Sequence, residues 1–171
     1  MDDPPLALLI QTAKGLRPGR ALDVACGPGR HAIFLAELGW KVKAVDSSRV
    51  AIELVRSRAA EAGLVVEACA ANLERREFRI EEDAYDLICD TFYLQRDLFP
   101  EIRAGLRAGG LFLGVIHMVD ENAPPMNPAF LLEPGELRSF FHGWDILHYA
   151  ENAQQRGHRR CAAELVCRKP E

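Results

Sequence analysis

The chain has 171 residues, 49% of them apolar, which suits one domain with a sizeable buried core. Its 21 Lys and Arg are outnumbered by 25 Asp and Glu, and a formal net charge of -4 argues against nucleic acid or an anionic membrane as partner. The opening MDDPPLALLIQTAKGLRPG starts acidic and has too short an apolar run for a signal peptide, and no segment is long enough to cross a bilayer, so the chain reads as cytoplasmic.

Helix and strand signals alternate along the sequence. Residues 6–14 have helical character and end before the turn GLRPG. A short apolar strand at 21–25 breaks at CGPG, and RHAIFLAELG continues as a helix ending near Gly39. A strand is predicted at 41–46, then a helix over 48–62 capped by Ser47 or Ser48 and stopped at Gly63, then a strand at 64–70. EFRIEEDA reads as an exposed connection before a buried strand at 85–90. DLFPEIRAGLRAGG (97–110) reads as a helix with Pro100 in its first turn and a glycine pair as its stop, followed by a strand at 111–118. A Pro- and Asn-rich loop, a short helix at 133–141 and two final strands, 144–151 and 159–170, complete the chain. Strands alternating with helices imply a parallel α/β sheet, and the last two strands read as an antiparallel edge hairpin. Trp144 is expected in core packing.

Cys26, Cys69, Cys89, Cys161 and Cys167 are odd in number, form no CxxC pair and lack zinc-like spacing; they read as buried free thiols, with no metal site expected. Arg56, Arg58, Arg75 and Arg76 are interrupted by acidic neighbours and read as solvated surface.

ALDVACGPGRHA (21–32) carries the chemistry. An apolar strand runs into a Gly-x-Gly turn and then a helix, where Gly27 and Gly29 let a ligand approach the backbone and the helix start offers free N–H groups. Asp46 ends the next strand, where a carboxylate can accept bonds from both hydroxyls of a ribose. Asp23, four positions before Gly27, discriminates between ligands. A carboxylate there repels the pyrophosphate of a dinucleotide but favours the sulfonium and ammonium of S-adenosylmethionine. Gly27, Gly29 and Ala32 also fit the G-x-G-x-x-A pattern with Asp46 as its acid, so a nicotinamide-dependent oxidoreductase ranks second. A non-catalytic cofactor-binding protein ranks third.

LDVACGPGRHAIFLAELGWKVKAVDSS resembles the first motif and following acidic strand of class I methyltransferases, and YDLICDTFYLQRDLFPEIRAGLRAGGLFL resembles their fourth strand, its helix and the turn into the fifth. LLEPGELRSFFHGWDILHYAE resembles the bacterial tellurite-resistance methyltransferase group. The resemblance covers Leu22 to Pro170 and implies one domain over residues 1–171: a Rossmann-like three-layer sandwich whose seven-stranded sheet has the order 3-2-1-4-5-7-6 with strand 7 antiparallel. It implies S-adenosylmethionine as cofactor, with Asp23 and the backbone of Ala25, Cys26, Gly27 and Gly29 at the methionine part, Asp46 at the ribose and Ser47 beside the adenine. Asn72 and Leu73 stand where relatives often carry Asp-Leu; the Asn amide oxygen can still accept the adenine amino group. Asp90 and Phe92 face the methionine end and the acceptor.

Methyl transfer from a sulfonium is an in-line displacement that needs alignment and exclusion of water, so no triad is expected and no catalytic residue is assigned. His31 starts the helix after the turn, near the cofactor, where a solvent-facing position is the plainer expectation. Tyr93, His117 and Glu121 are expected to line the acceptor cleft, with His158 and Arg159 in reach. Asp90-Thr91-Phe92-Tyr93 departs from the Asn/Asp-Pro-Pro-Tyr/Phe motif of enzymes that methylate flipped bases, which argues against DNA. A small-molecule acceptor is the default, and the nearest branch suggests soft nucleophiles such as thiols, selenium or tellurium compounds. About twenty residues precede the first strand, fewer than in many relatives, so a partner subunit or the 120–131 loop is expected to complete the site.

Overall fold

A computed structural model describes residues 3–171. One seven-stranded sheet has the order β3-β2-β1-β4-β5-β7-β6. Its strands are β1 (Arg20–Val24), β2 (Lys41–Asp46), β3 (Val66–Ala70), β4 (Tyr85–Thr91), β5 (Leu106–His117), β6 (Asp145–Ala153) and β7 (Ala162–Arg168). The helices are α1 (Ala7–Lys14), α2 (Arg30–Glu37), α3 (Arg49–Glu61), α4 (Phe99–Gly105) and α5 (Glu136–Ser139). β1, β2 and β3 pair in parallel, whereas β7 runs antiparallel to both β5 and β6. The expected Rossmann-like strand order and terminal hairpin are therefore present. No helix of the described residues is long and apolar enough to cross a membrane.

The chain divides into two compact units. One comprises the chain up to Arg79 together with Tyr85–Cys89. Here β1 buries every residue after Arg20, as the continuous apolar run of a parallel central strand requires. Leu22, Leu35, Ile52, Leu87 and Ile88 form its core. Ser48 caps α3 by accepting the Ala51 N–H at 3.2 Å. The other unit comprises Ile80–Ala84 and Asp90–Glu171. Its core is aromatic: Phe99 stacks on Phe140 at 4.1 Å and Phe112 on Phe141 at 4.3 Å. Trp144, expected in the core at the start of a strand, is instead half-buried just before β6, where it meets Phe141 edge-on at 5.1 Å.

Several local expectations fail: the helix expected over 133–141 shrinks to Glu136–Ser139, the final strand expected over 159–170 to Ala162–Arg168, and two further departures have visible causes. The helix expected over 97–110 ends at Gly105, after a 3-10 turn at Arg96–Leu98, and β5 starts at Leu106. The carbonyls of Ala104 and Gly105 accept the amides of Asp83 and Ala84, each at 2.9 Å, and Leu106 is fully buried. Those carbonyls are thus taken by another segment rather than by the next helical turn. The connection EFRIEEDA is not wholly exposed either, because Ile80 and Ala84 are buried. The five cysteines are free, with Cys26, Cys89, Cys161 and Cys167 buried as expected and Cys69 half-buried.

Candidate functional site

The end of β1 turns into α2 through three residues with left-handed backbone: Ala25 (φ 50°), Gly27 (φ 53°) and Gly29 (φ 86°). Glycine accepts this geometry freely, whereas an alanine there is strained by about 1–2 kcal/mol. The turn is held by the Cys26 N–H on the Val45 carbonyl at 2.9 Å and the Gly29 N–H on the Cys26 carbonyl at 3.1 Å. Gly29 also sets the approach of α2 to α3, since a Cβ there would lie 2.6 Å from a Val55 methyl. At Gly27 a Cβ would meet nothing within 4 Å, so open space lies against the tip of the turn.

Two carboxyl groups flank the turn in different states. Asp46 is held by the backbone: one oxygen accepts the Gly27 N–H at 2.9 Å and the other the Ser48 N–H at 2.8 Å. Each oxygen keeps a second lone pair. Asp23 is fully buried, and neither of its oxygens has a hydrogen-bond partner among the described residues. Burial pushes the Asp23 carboxyl up to about 7, and the Asp46 charge adds to the rise. The Ala32 N–H, directed toward it without closing a hydrogen bond, and the Arg30 charge act in the opposite sense. Burial and the two aspartates push the Cys26 thiol up as well, which keeps it an un-ionised thiol.

The other expected residues of this unit have definite local bonds. Ser47 is exposed next to Asp46. Asn72 is half-buried; its side-chain oxygen accepts the Arg75 N–H at 3.0 Å, and its own N–H is held by Glu77 at 2.8 Å. Leu73 beside it is buried. His31 is neither solvent-facing nor open to a ligand. It is 2% exposed, its Nε2 accepts the Leu6 N–H at 3.4 Å, and burial pushes its imidazole down to about 3. It is a neutral core residue that ties α2 to the start of α1, a function that a helix-start position does not reveal.

In the second unit Asp90 and Thr91 are buried at the end of β4. Phe92 follows with a left-handed backbone (φ 60°), its N–H bonded to the Val115 carbonyl at 2.6 Å. Its ring stacks on His158 at 3.9 Å and 15° and meets His117 at 4.9 Å. His117 Nε2 and His158 Nδ1 are 3.3 Å apart. Burial, then the His158 charge, hold the His117 imidazole below its ordinary value. Three expected acceptor-side residues thus meet in one cluster. Tyr93 instead bonds Gln95 through its hydroxyl at 2.7 Å, and Glu121 and Arg159 are exposed.

Sequence reasoning passed over two arginines. Arg160 is 6% exposed and donates to the carbonyls of Met118, Asp120 and Pro124. Arg96 forms an ion pair with Glu136 and donates to the carbonyls of Ala129 and Leu131. Together they fasten both ends of the 120–131 loop. For Arg160 the available signal was an arginine two positions before the apolar strand AAELVC, where a buried charge needs acceptors.

The family model of the tellurite resistance protein TehB matches residues 6–163. Hemagglutinin 1 of Eikenella corrodens is 34% identical over 82% of this chain and 49% of its own length. The probable S-adenosyl-L-methionine-dependent methyltransferase TehB of Haemophilus influenzae is 26% identical over 84% of this chain and 52% of its own. The chain thus spans about half the length of the curated relatives it matches. The crystal structure of TehB from Haemophilus influenzae superposes with a TM-score of 0.81 at 24% identity, covering 94% of this chain and 61% of that one. A Burkholderia thailandensis 1,6-didemethyltoxoflavin-N1-methyltransferase, solved with that compound and S-adenosylhomocysteine, superposes at 0.71 with 19% identity, covering 98% and 80%. With a family match over nearly its full length and the sheet order its motifs imply, the chain belongs to the tellurite resistance protein TehB family.

Proposed function

We propose that residues 1–171 act as one S-adenosylmethionine-dependent methyltransferase domain whose acceptor is a small molecule. The observation that carries this reading is the buried Asp23 carboxyl, without a hydrogen-bond partner among the described residues and beside a turn with open space at Gly27. A buried carboxyl in that state is stabilised by a cationic ligand and destabilised by a diphosphate. This favours a nucleoside with an ammonium and a sulfonium over a dinucleotide. The relative from Haemophilus influenzae named for S-adenosyl-L-methionine supports the same choice.

In this reading Asp23 and the backbone of Ala25, Cys26, Gly27 and Gly29 hold the methionine part. Asp46 uses its remaining lone pairs for the ribose hydroxyls, with Ser47, Asn72 and Leu73 about the adenine. The Asn72 oxygen already serves a turn, so its adenine contact uses that oxygen's second lone pair. Asp90 and Phe92 are assigned to the methionine end and the acceptor.

Bound S-adenosylmethionine supplies an already activated methyl group for in-line displacement. The chain's own task is therefore to orient and to exclude water. The 120–131 loop, fastened by Arg160 and Arg96, or a second subunit covers the acceptor side. The acidic chain and the departure at Asp90–Tyr93 from the base-methylating motif favour a small acceptor over nucleic acid.

Calorimetric titration of the purified chain with S-adenosylmethionine, S-adenosylhomocysteine, NAD and NADP tests the reading. Saturable binding of the first two and none of the last two is expected. Binding of NAD or NADP without the first two would replace it with an oxidoreductase.

A further inference from the structure

We propose that His117 is a positioning residue of the acceptor side: its hydrogen bond to His158 latches the β6–β7 loop onto Phe92, and the latch holds only while the two rings share no more than one extra proton. The inference rests on the assignment of Phe92 to the acceptor side made above.

The geometry is built from three separate elements. Phe92 follows β4, His117 ends β5, and His158 lies in the loop before β7. The Phe92 and His158 rings are nearly parallel at 3.9 Å, and His117 reaches His158 edge to edge with its nitrogen 3.3 Å away. Of the two facing nitrogens one must carry a proton and the other a lone pair. A neutral pair meets that condition, and so does a pair with one added proton. A second added proton puts N–H against N–H, removes the bond and leaves two like charges at contact distance. The loop then loses what holds it on Phe92.

The surroundings reinforce the limit. Half-burial of His117 opposes a charge on it, as does Arg160 more weakly, whereas the backbone of Cys161 favours one. The Asp120 carboxylate is committed to the N–H groups of Cys161 and Asn122 and to the field of Arg160. Arg159, beside His158, is exposed to solvent.

Imidazole proton NMR of the full chain, titrated from pH 8 to pH 5 without ligand, tests the latch, with His158→Gln identifying the resonances. In the wild type the His158 ring protons should lie upfield of ordinary histidine because of the Phe92 ring, and return to ordinary positions in acid. His117→Ala should abolish the upfield shift at every pH. His117→Gln should restore it and keep it across the titration, measured against ordinary histidine in the same protonation state, because the amide can accept from either protonation state of His158. A wild-type pattern in His117→Ala, or ordinary His158 shifts in the wild type at pH 8, would overturn the proposal. With any acceptor that turns over, His117→Ala should raise KM about fivefold or more with a smaller change in kcat, an effect of about 1 kcal/mol; an unchanged KM would contradict a positioning role. Failure to bind S-adenosylmethionine would remove the function proposed above and leave the ring signature to be judged by itself.

Discussion

The ends of β2 and β1 each present a carboxyl group near the same turn, yet only one of them is finished by the fold. Asp46 is tied by two backbone amides and holds the turn to the start of α3. Asp23 is more deeply buried and has no such partner, so its ionisation works against folding. A group satisfied by the backbone stabilises the unligated protein. A buried group left unsatisfied is retained at a loss of stability and marks where a ligand completes the structure. The glycine turn therefore has one carboxylate tied into it by backbone amides and one left without such bonds among the described residues.

His31 offers the largest effect by which to break this contrast. It is satisfied like Asp46 and buried besides, but only while neutral. Its folded value lies near 3, below the ordinary 6.5, so the unfolded chain takes up the proton first. Stability should be fully present above pH 6.5 and decay as pH falls toward 3, by an amount on the order of a few kcal/mol. Urea midpoints across that range check it, and in His31→Gln the slope should flatten. An equal slope in the variant would remove His31 from the account of acid sensitivity.

Asp46→Ala should be next in size. It removes two charge-assisted bonds to backbone amides and should lower stability by about 3 kcal/mol in chemical denaturation, while weakening cofactor binding by about 1–3 kcal/mol. If stability were unchanged, the distinction between the two carboxylates would fail on the Asp46 side. The smallest effect has the opposite sign. Ala25 holds φ 50° where glycine is at ease, so Ala25→Gly should stabilise the protein by about 1 kcal/mol with the cofactor affinity preserved. A destabilised Ala25→Gly would mean that the unfolded chain's added freedom outweighs the relieved strain.

How much of this was legible in the sequence depends on how far apart the cooperating residues lie. β2 spans Lys41–Asp46, the range its alternation implies, and the turn with Asp23 and Asp46 sits inside one βαβ unit, so its parts are read together. The strand order came from resemblance to a family, since periodicity leaves it open. The helix expected over 97–110 stops at Gly105 because the competing bonds come from Asp83 and Ala84, which no window around the helix contains. The same applies to His31 with Leu6, to Arg160 with the carbonyls of 118–124, and to the Phe92, His117 and His158 rings. Local pattern finds elements and turns; it does not find side chains that meet across them.

The affinity of S-adenosylmethionine for Asp23→Asn, measured by calorimetry beside the wild type at pH 8, bears most directly on the unfinished carboxyl. The variant keeps the shape of the side chain and removes its charge. Binding at least about tenfold weaker than wild type is expected, a loss of about 1.4 kcal/mol. An affinity equal to wild type would mean that the buried carboxyl of β1 is not there for the cofactor's positive charge.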